Sequence, residues 1–363
     1  MKKTLLATAI VGALGASAAA QAATVYDQDG TKLDVYGRIA MGIAGGGAEY
    51  NSAGQKIDNS EEFVDVYSRL GLRMSQEVTS DLTAFGRVEW RFSGDERTGP
   101  SGNGNSGFNE VRQSYIGLQS NQYGTFQAGN FDSFYNQFVS LPFDVYIDRG
   151  LEFAGHPIQS RGDSIGYYTP DLQGFTAFLQ LKHYSERGEL EPVREEGNVV
   201  APQGGVRYQQ GPFTVGLGFV EDVIRGGGNG EMLGGLIGSY AVNDQFSVRL
   251  GYEGREHNEA LDLGPNLNGF DKVGLGATYT TGPWAFTGDV YDISADGSSA
   301  EDRTAWALGS YYKVSSNFDV FLELNQRDQQ SIDVTIGGSE GPVSVERADG
   351  DDIYYLTGAR YHF

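Results

Sequence analysis

The feature that most constrains this chain is a two-residue alternation along most of its length, punctuated by connections of two sorted kinds. In FVDVYSRLGLRM, Val64, Val66, Ser68, Leu70, Leu72 and Met74 share one face, opposite Asp65, Tyr67, Arg69 and Arg73. In LTAFGRVEWRF, Leu82, Ala84, Val88, Trp90 and Phe92 oppose Arg87, Glu89 and Arg91. QFSVRLGYE sets Phe246, Val248, Leu250 and Tyr252 against Ser247, Arg249 and Glu253, and near the end Phe318, Val320, Leu322 and Leu324 oppose Asp319, Glu323 and Asn325. Each reads as a half-apolar strand. Short turns at VTSD, SNQYG, TPDLQG, QQGP, VNDQ, TTGP and VSSN alternate with long connections near 43–61, 93–108, 131–162, 185–198, 222–231, 256–267, 294–301 and 330–350. Seven short and eight long connections predict about 16 strands that begin and end on the same side.

A soluble sandwich has no reason to sort its loops in this way, whereas an outer-membrane barrel does. Unpaired backbone groups are intolerable in hydrocarbon, so a spanning sheet must close on itself. About ten residues per tilted strand suffice to cross. An Arg or Lys facing lipid at the midplane costs about 2–4 kcal/mol, which turns the Arg-bearing faces inward. The expected fold is therefore all-β, a transmembrane antiparallel β-barrel whose interior is too wide for side chains to fill and holds water. Aromatics near strand ends fit the girdles of such barrels: Tyr36, Phe92, Phe126, Tyr168, Phe213, Tyr240, Phe246, Tyr279, Trp284, Tyr311 and Phe318.

The start of the chain has the three parts of a secretory leader: Lys2 and Lys3, an apolar run, then AQAA, with cleavage expected after Ala22 or Ala23. Residues 1–23 are read as that leader and 24–363 as a single barrel domain. Removing Lys2 and Lys3 takes the formal charge from −22 to −24, because no acid precedes Asp27. So acidic a chain is a poor partner for nucleic acid, which needs clustered Lys and Arg. With no cysteine, neither disulfides nor thiol chemistry enters. Enzyme motifs are thin: His156, His183, His257 and His362 lack metal-ligand spacing, and no cofactor, metal or catalytic residue is expected. Asp-Gly pairs in YDQDGTK, YDISADGSS and ADGDDIYY are explained by turn chemistry and lack a full calcium-ligand series.

Taken in order, VYDQDGTKLDVYGR, SRLGLRMSQEVTSDLTAFGRVEWRF, VRQSYIGLQSNQYGTFQAGNFDSFYNQ, SIGYYTPDLQGFTAFLQL and the closing GARYHF resemble the Gram-negative general diffusion porins, the trimeric OmpC and OmpF type. The resemblance is strong over residues 24–182 and at the terminus, and one of architecture between about 183 and 345. It implies a homotrimeric, passive outer-membrane channel for ions and small hydrophilic solutes, set among outer-membrane lipids and lipopolysaccharide. In that family a third loop folds into the barrel and faces basic wall residues across the pore. Here residues 131–162 take its place, with Asp144, Asp148 and Glu152 as candidate acids and Arg38, Arg69, Arg112 and Arg161 as the basic wall. LPFDVYIDRG stands where the family carries a Pro-Glu-Phe-Gly-Gly turn, and Arg149 adds a positive charge to the loop. The second loop, about 93–108, would latch a neighbouring subunit, with Asp95 and Glu96 as contacts. The acidic balance implies a modest cation preference, opposed by the Arg cluster. A substrate-selective channel, for example one specific for a sugar, or a surface barrel whose outer loops bind a ligand, stays open as the alternative.

The chain ends DDIYYLTGARYHF. Alternation puts Ile353, Tyr355, Thr357, Ala359, Tyr361 and Phe363 on the lipid side and Arg360 and His362 on the other. This segment is expected to close the barrel against KLDVYGRIAMGI. The resemblance implies that the terminal aromatics, Tyr361 and Phe363, are read by the outer-membrane assembly machinery.

Overall fold

The computed structural model describes residues 22–47, 60–95, 108, 110–150, 153, 162–185, 198–226, 228–259, 269–296, 302–326, 335–338, 341–344 and 353–363. Residues 1–21 of the expected leader lie outside this set, as do Glu96, Glu152 and Arg161. The strands are β1 (Ala23–Gln28), β2 (Thr31–Gly46), β3 (Glu62–Asp65), β4 (Arg69–Glu77), β5 (Leu82–Arg91), β6 (Glu110–Ser120), β7 (Gly124–Asn130), β8 (Asp163–Tyr168), β9 (Phe175–Tyr184) and β10 (Val199–Gln210). They continue as β11 (Phe213–Glu221), β12 (Met232–Ala241), β13 (Phe246–Arg255), β14 (Gly269–Thr281), β15 (Trp284–Asp296), β16 (Arg303–Lys313), β17 (Phe318–Gln326), β18 (Thr335–Gly338), β19 (Gly341–Ser344) and β20 (Tyr354–His362).

One sheet holds 18 of these elements, every pair antiparallel, and it closes where Arg38–Gly46 of β2 meet Tyr354–His362 of β20. With β3 and β4 counted as one interrupted strand and β1 set aside, the barrel has the expected 16 strands. All seven short turns join the strands that the alternation predicts. Sequence reading did not anticipate two elements. β1 forms a hairpin with β2 through Asp29 and Gly30, both at positive φ as a tight two-residue turn requires. β18 pairs with β19 inside the last long connection.

The outer face is apolar and open: Leu217, Leu250, Leu275 and Leu308 are each at least half exposed. In water such a band would be an aggregation surface, and in a bilayer it is the lipid contact. Near the short-turn end, Phe213 packs on Tyr240 and Trp284 on Tyr312, each with centroids 4.6 Å apart, as an aromatic girdle. Three of the expected girdle residues are not there. Tyr36 and Tyr311 are buried inside the barrel, and Tyr168 packs inward against the loop core.

The phase of the second barrel strand also differs from expectation. Arg38 pairs with Arg69 and Met41 with Asp65, so three steps along β2 match four along its partner. The extra residue is a β-bulge at Val66–Ser68, and it reverses which face is which. Phe63 points outward, while Val64 and Val66 turn into the lumen, where Val66 is 2 % exposed and belongs to an inner cluster with Val145 and Tyr146.

Candidate functional site

Residues 131–150 run inside the barrel rather than over its rim. Phe131, Phe134, Tyr135, Phe138, Val139, Phe143 and Phe153 are buried against Phe178, Val220, Leu233, Ile237 and Tyr291 of the β9–β15 wall. The loop lies so close that a Cβ on Gly216 would stand 2.4 Å from the Phe138 carbonyl oxygen, so β11 accepts the loop backbone only because it has no side chain there. A π turn at Asn136–Ser140 leads into a 3-10 turn at Leu141–Phe143, with Pro142 in the first turn.

Loop amides that would be stranded in this interior are met by wall side chains. Gln180 Oε1 accepts from Phe134 N at 2.8 Å, and Gln203 Oε1 accepts from Tyr135 N at 3.0 Å. The Tyr135 hydroxyl donates to Glu253 at 2.7 Å. At the tip, one carboxylate gathers three successive amides: Ile147, Asp148 and Arg149 donate to Glu323 at 2.5, 3.0 and 2.9 Å. The Tyr311 hydroxyl donates to the same group at 2.6 Å.

The opposite wall, on β2, β4, β5 and β6, is basic. Its centre is Glu89, fully buried, which accepts from Arg87 at 2.7 Å, Arg69 at 3.3 Å and Arg112 at 2.5 Å. The Tyr36 hydroxyl donates to Glu89 at 2.7 Å, and Arg87 Nε donates to that hydroxyl at 2.6 Å. Arg73 stacks over the Tyr36 ring at 4.2 Å. Three guanidiniums on one carboxylate leave the wall with net positive charge. Arg38 is buried beside it, its Nε donating to the Tyr67 carbonyl at 3.1 Å.

A second bulge builds this wall. Glu89 pairs with Gln113 but Trp90 with Val111, so Arg112 is the extra residue of β6. Strict alternation would group Arg112 with Ser114 and Ile116, which face outward. The bulge lets both Arg112 and Gln113 reach the lumen. There they meet the loop: Gln113 Nε2 donates to Asp132 at 2.5 Å, and Arg112 approaches the same carboxylate at 3.5 Å.

Of the expected site residues, Arg38, Arg69 and Arg112 lie together on the lumen wall. Asp144 is half-buried on the loop, within electrostatic reach of Arg112, Arg69 and Arg38. Burial and the neighbouring Asp132 carboxylate push its carboxyl up to about 6, against the pull of those arginines. Asp148 is placed differently from Asp144: it accepts from the Tyr67 hydroxyl and pairs with Arg149 at 2.9 Å. Tyr361 is outward and 49 % exposed, and Phe363 closes onto Gly37. Tyr36, Arg87, Glu89, Asp132 and Glu323 join the site although no motif singled them out. Alternation already turned Arg87, Glu89 and Glu323 to the polar face. Among the described residues, no group of three or more His, Asp or Glu is placed to hold a metal ion.

Comparison with known proteins agrees with this architecture. The family model for Gram-negative porins matches residues 7–331. The chain is 32% identical to outer membrane porin F of Escherichia coli K12, covering 100% of this chain and 90% of that protein. It is 29% identical to a monosaccharide porin of a Halomonas species, over 100% and 91%. Among solved structures, the anion-selective porin from Comamonas acidovorans superimposes with a TM-score of 0.65 at 20% identity, covering 92% of this chain and 100% of that one, a likeness of fold. A closed sixteen-stranded barrel with an inner loop, matched over most of its length by this family model, belongs to the Gram-negative porin family of outer-membrane channels.

Proposed function

We propose that the chain assembles as a homotrimer of water-filled channels through which ions and small hydrophilic solutes diffuse passively, with a modest preference for cations. The observation that carries this reading is the pairing of an acidic loop face, Asp132 and Asp144, with the arginine wall of Arg38, Arg69, Arg87 and Arg112. Opposite charges across a narrow aqueous gap set up a transverse field within a Debye length of about 8–10 Å, which orders ions and dipolar solutes as they pass. Four arginines against Glu89, Asp132 and Asp144 leave the constriction itself close to balance. The preference then follows the acid excess of the barrel, formal charge −24 once Lys2 and Lys3 of the expected leader are taken from the −22 of the whole chain, which raises local cation concentration at the mouths. No catalytic step is assigned to any residue.

The trimer is supported by the outer face of β4–β7. There Ala84, Gly86 and Ala128 lie in a groove flanked by Met74, Ile116, Leu118 and Phe126, in contrast to the large side chains elsewhere. Small residues allow close approach of a second barrel within the membrane. The expected leader, residues 1–23, would direct export, and the terminal Tyr361 and Phe363 would present the chain to the assembly machinery. Lipid and lipopolysaccharide would contact the remaining perimeter.

Planar-bilayer recording tests the reading. Stepwise conductance in multiples of three is expected, with a reversal potential in a KCl gradient displaced toward K⁺. Absence of steps would overturn the channel, and an anion-directed reversal potential would overturn the cation preference. A second reading, selectivity for a monosaccharide, is favoured by the full-length similarity to the Halomonas protein. Saturable block of the current by one sugar would establish it.

A further inference from the structure

Tyr67 is an aromatic residue at φ +61°, one of three non-glycine residues at positive φ among those described, and the other two lie in turns. A bulky side chain reaches this region only when its surroundings hold it there. Here the bulge is built to do so. Ser68 N donates to Asp65 Oδ1 at 2.8 Å, and Gly94 N donates to Asp65 Oδ2 at 3.2 Å. Val66 N donates to the Ala40 carbonyl at 2.8 Å, and Ala40 N donates to Ser68 Oγ at 3.0 Å.

Three parts of the constriction then meet on one residue. The Tyr67 carbonyl accepts from Arg38 Nε, its ring lies under the Arg91 guanidinium at 4.6 Å, and its hydroxyl donates to Asp148 on the loop tip. The Asp148 carboxylate is therefore held from two sides, by Tyr67 through Oδ1 and by Arg149 through Oδ2, and the loop tip is tied to the same stretch of wall, β17–β20–β2–β3, that Glu323 anchors.

We propose that Tyr67 is a specificity-determining residue of the channel: by clasping Asp148 it removes one loop carboxylate from the permeation path and leaves ion discrimination to Asp132 and Asp144. The proposal rests on the channel reading above. It differs from a general structural role because it concerns the charge that ions see, not the existence of the pore. Without the hydroxyl, the Asp148 carboxylate keeps Arg149 as its partner among the described residues and turns its free oxygen to the lumen, adding negative potential there.

The test is the reversal potential of reconstituted full-length protein in a KCl gradient, for wild type, Tyr67→Phe, Asp148→Asn, the double variant and Asp144→Asn. Tyr67→Phe is expected to raise the K⁺/Cl⁻ permeability ratio roughly two-fold, and the double variant to lose that rise. Asp148→Asn is expected to lower the ratio less than Asp144→Asn does. This last comparison needs no change at Tyr67 and stands even where Tyr67→Phe fails to insert. An unchanged ratio in Tyr67→Phe, the same rise on the Asp148→Asn background, or an Asp148→Asn effect as large as that of Asp144→Asn would each overturn the proposal. Wild-type protein without conductance would overturn the channel reading and this proposal together, and is distinguished from the other outcomes by the absence of any current.

Discussion

Phe363 and Gly37 exchange both of their main-chain hydrogen bonds, Gly37 N to Phe363 O at 2.8 Å and Phe363 N to Gly37 O at 3.1 Å. The terminal ring lies where a side chain at residue 37 would stand, its Cζ 2.6 Å from the ideal Cβ position. A missing side chain on β2 is thus covered by the last aromatic of the chain, a pairing known to rescue glycines in sheets. Along the same edge of β2, β1 takes over where β20 ends, with Ala23 opposite Val35. The barrel seam is therefore three-membered, and Phe363 sits at its junction.

Deleting Phe363 removes both bonds and uncovers Gly37. Loss of the aromatic burial alone is expected to cost about 2 kcal/mol. The folded fraction, read from the heat-dependent shift in gel mobility, should fall, while channels that do insert should conduct as wild type. Equal folding yields would count against a seam role for this residue.

Gly216→Val places a branched side chain against the Phe138–Val139 backbone. Overpacking of this kind costs about 1–3 kcal/mol, and the loop rather than the sheet is the part able to move. Altered single-channel conductance in a barrel that still folds is the expected result. A variant with wild-type conductance would mean that the loop does not depend on this contact.

Glu323→Ala strands three loop amides and the Tyr311 hydroxyl. Each buried donor left unsatisfied costs about 1–3 kcal/mol, so the loop tip should detach and find other partners. Open-channel current noise should rise and the size limit for neutral sugars, measured by liposome swelling, should shift. Glu323→Gln retains one acceptor and should fall between this variant and wild type.

Asp144 gives the channel a pH dependence whose sign is fixed. Its carboxyl lies at about 6, raised by burial and by Asp132. It is ionised at pH 7 and takes up its proton as the pH falls through 6, where an ordinary Asp would still be charged. Cation preference should therefore decline between pH 7 and pH 5. Reversal potentials across that range check this, and Asp144→Asn should flatten the profile.

The strands and their turns were legible because each obeys a local rule. A span between lipid and water must alternate, and a turn must carry residues that permit it, so VTSD or TTGP can be read without a partner in view. Alternation failed at two places, both bulges. Val64 and Val66 have the composition of a lipid face yet point inward, and Arg112 has the parity of Ser114 but the lumen position of Gln113. One inserted residue reverses a two-residue period, and whether it is accommodated depends on the register of the neighbouring strand, which no single segment encodes. The girdle reading of Tyr36 and Tyr311 failed for a related reason: an aromatic near a strand end is consistent with either face, and only the partners Glu89 and Glu323 decide.

By itself the sequence determined the closed sixteen-stranded barrel, the sorting of its loops and the inward direction of arginines such as Arg69, Arg87 and Arg249, because these follow from period, length and the cost of charge in hydrocarbon. The tertiary structure alone decided which acids meet which bases. Glu323 anchors amides 174 to 176 residues away, and Glu89 gathers Arg69 and Arg112 from two other strands. Such pairings depend on the height at which each strand crosses the barrel, a property of the closed sheet and not of any one strand.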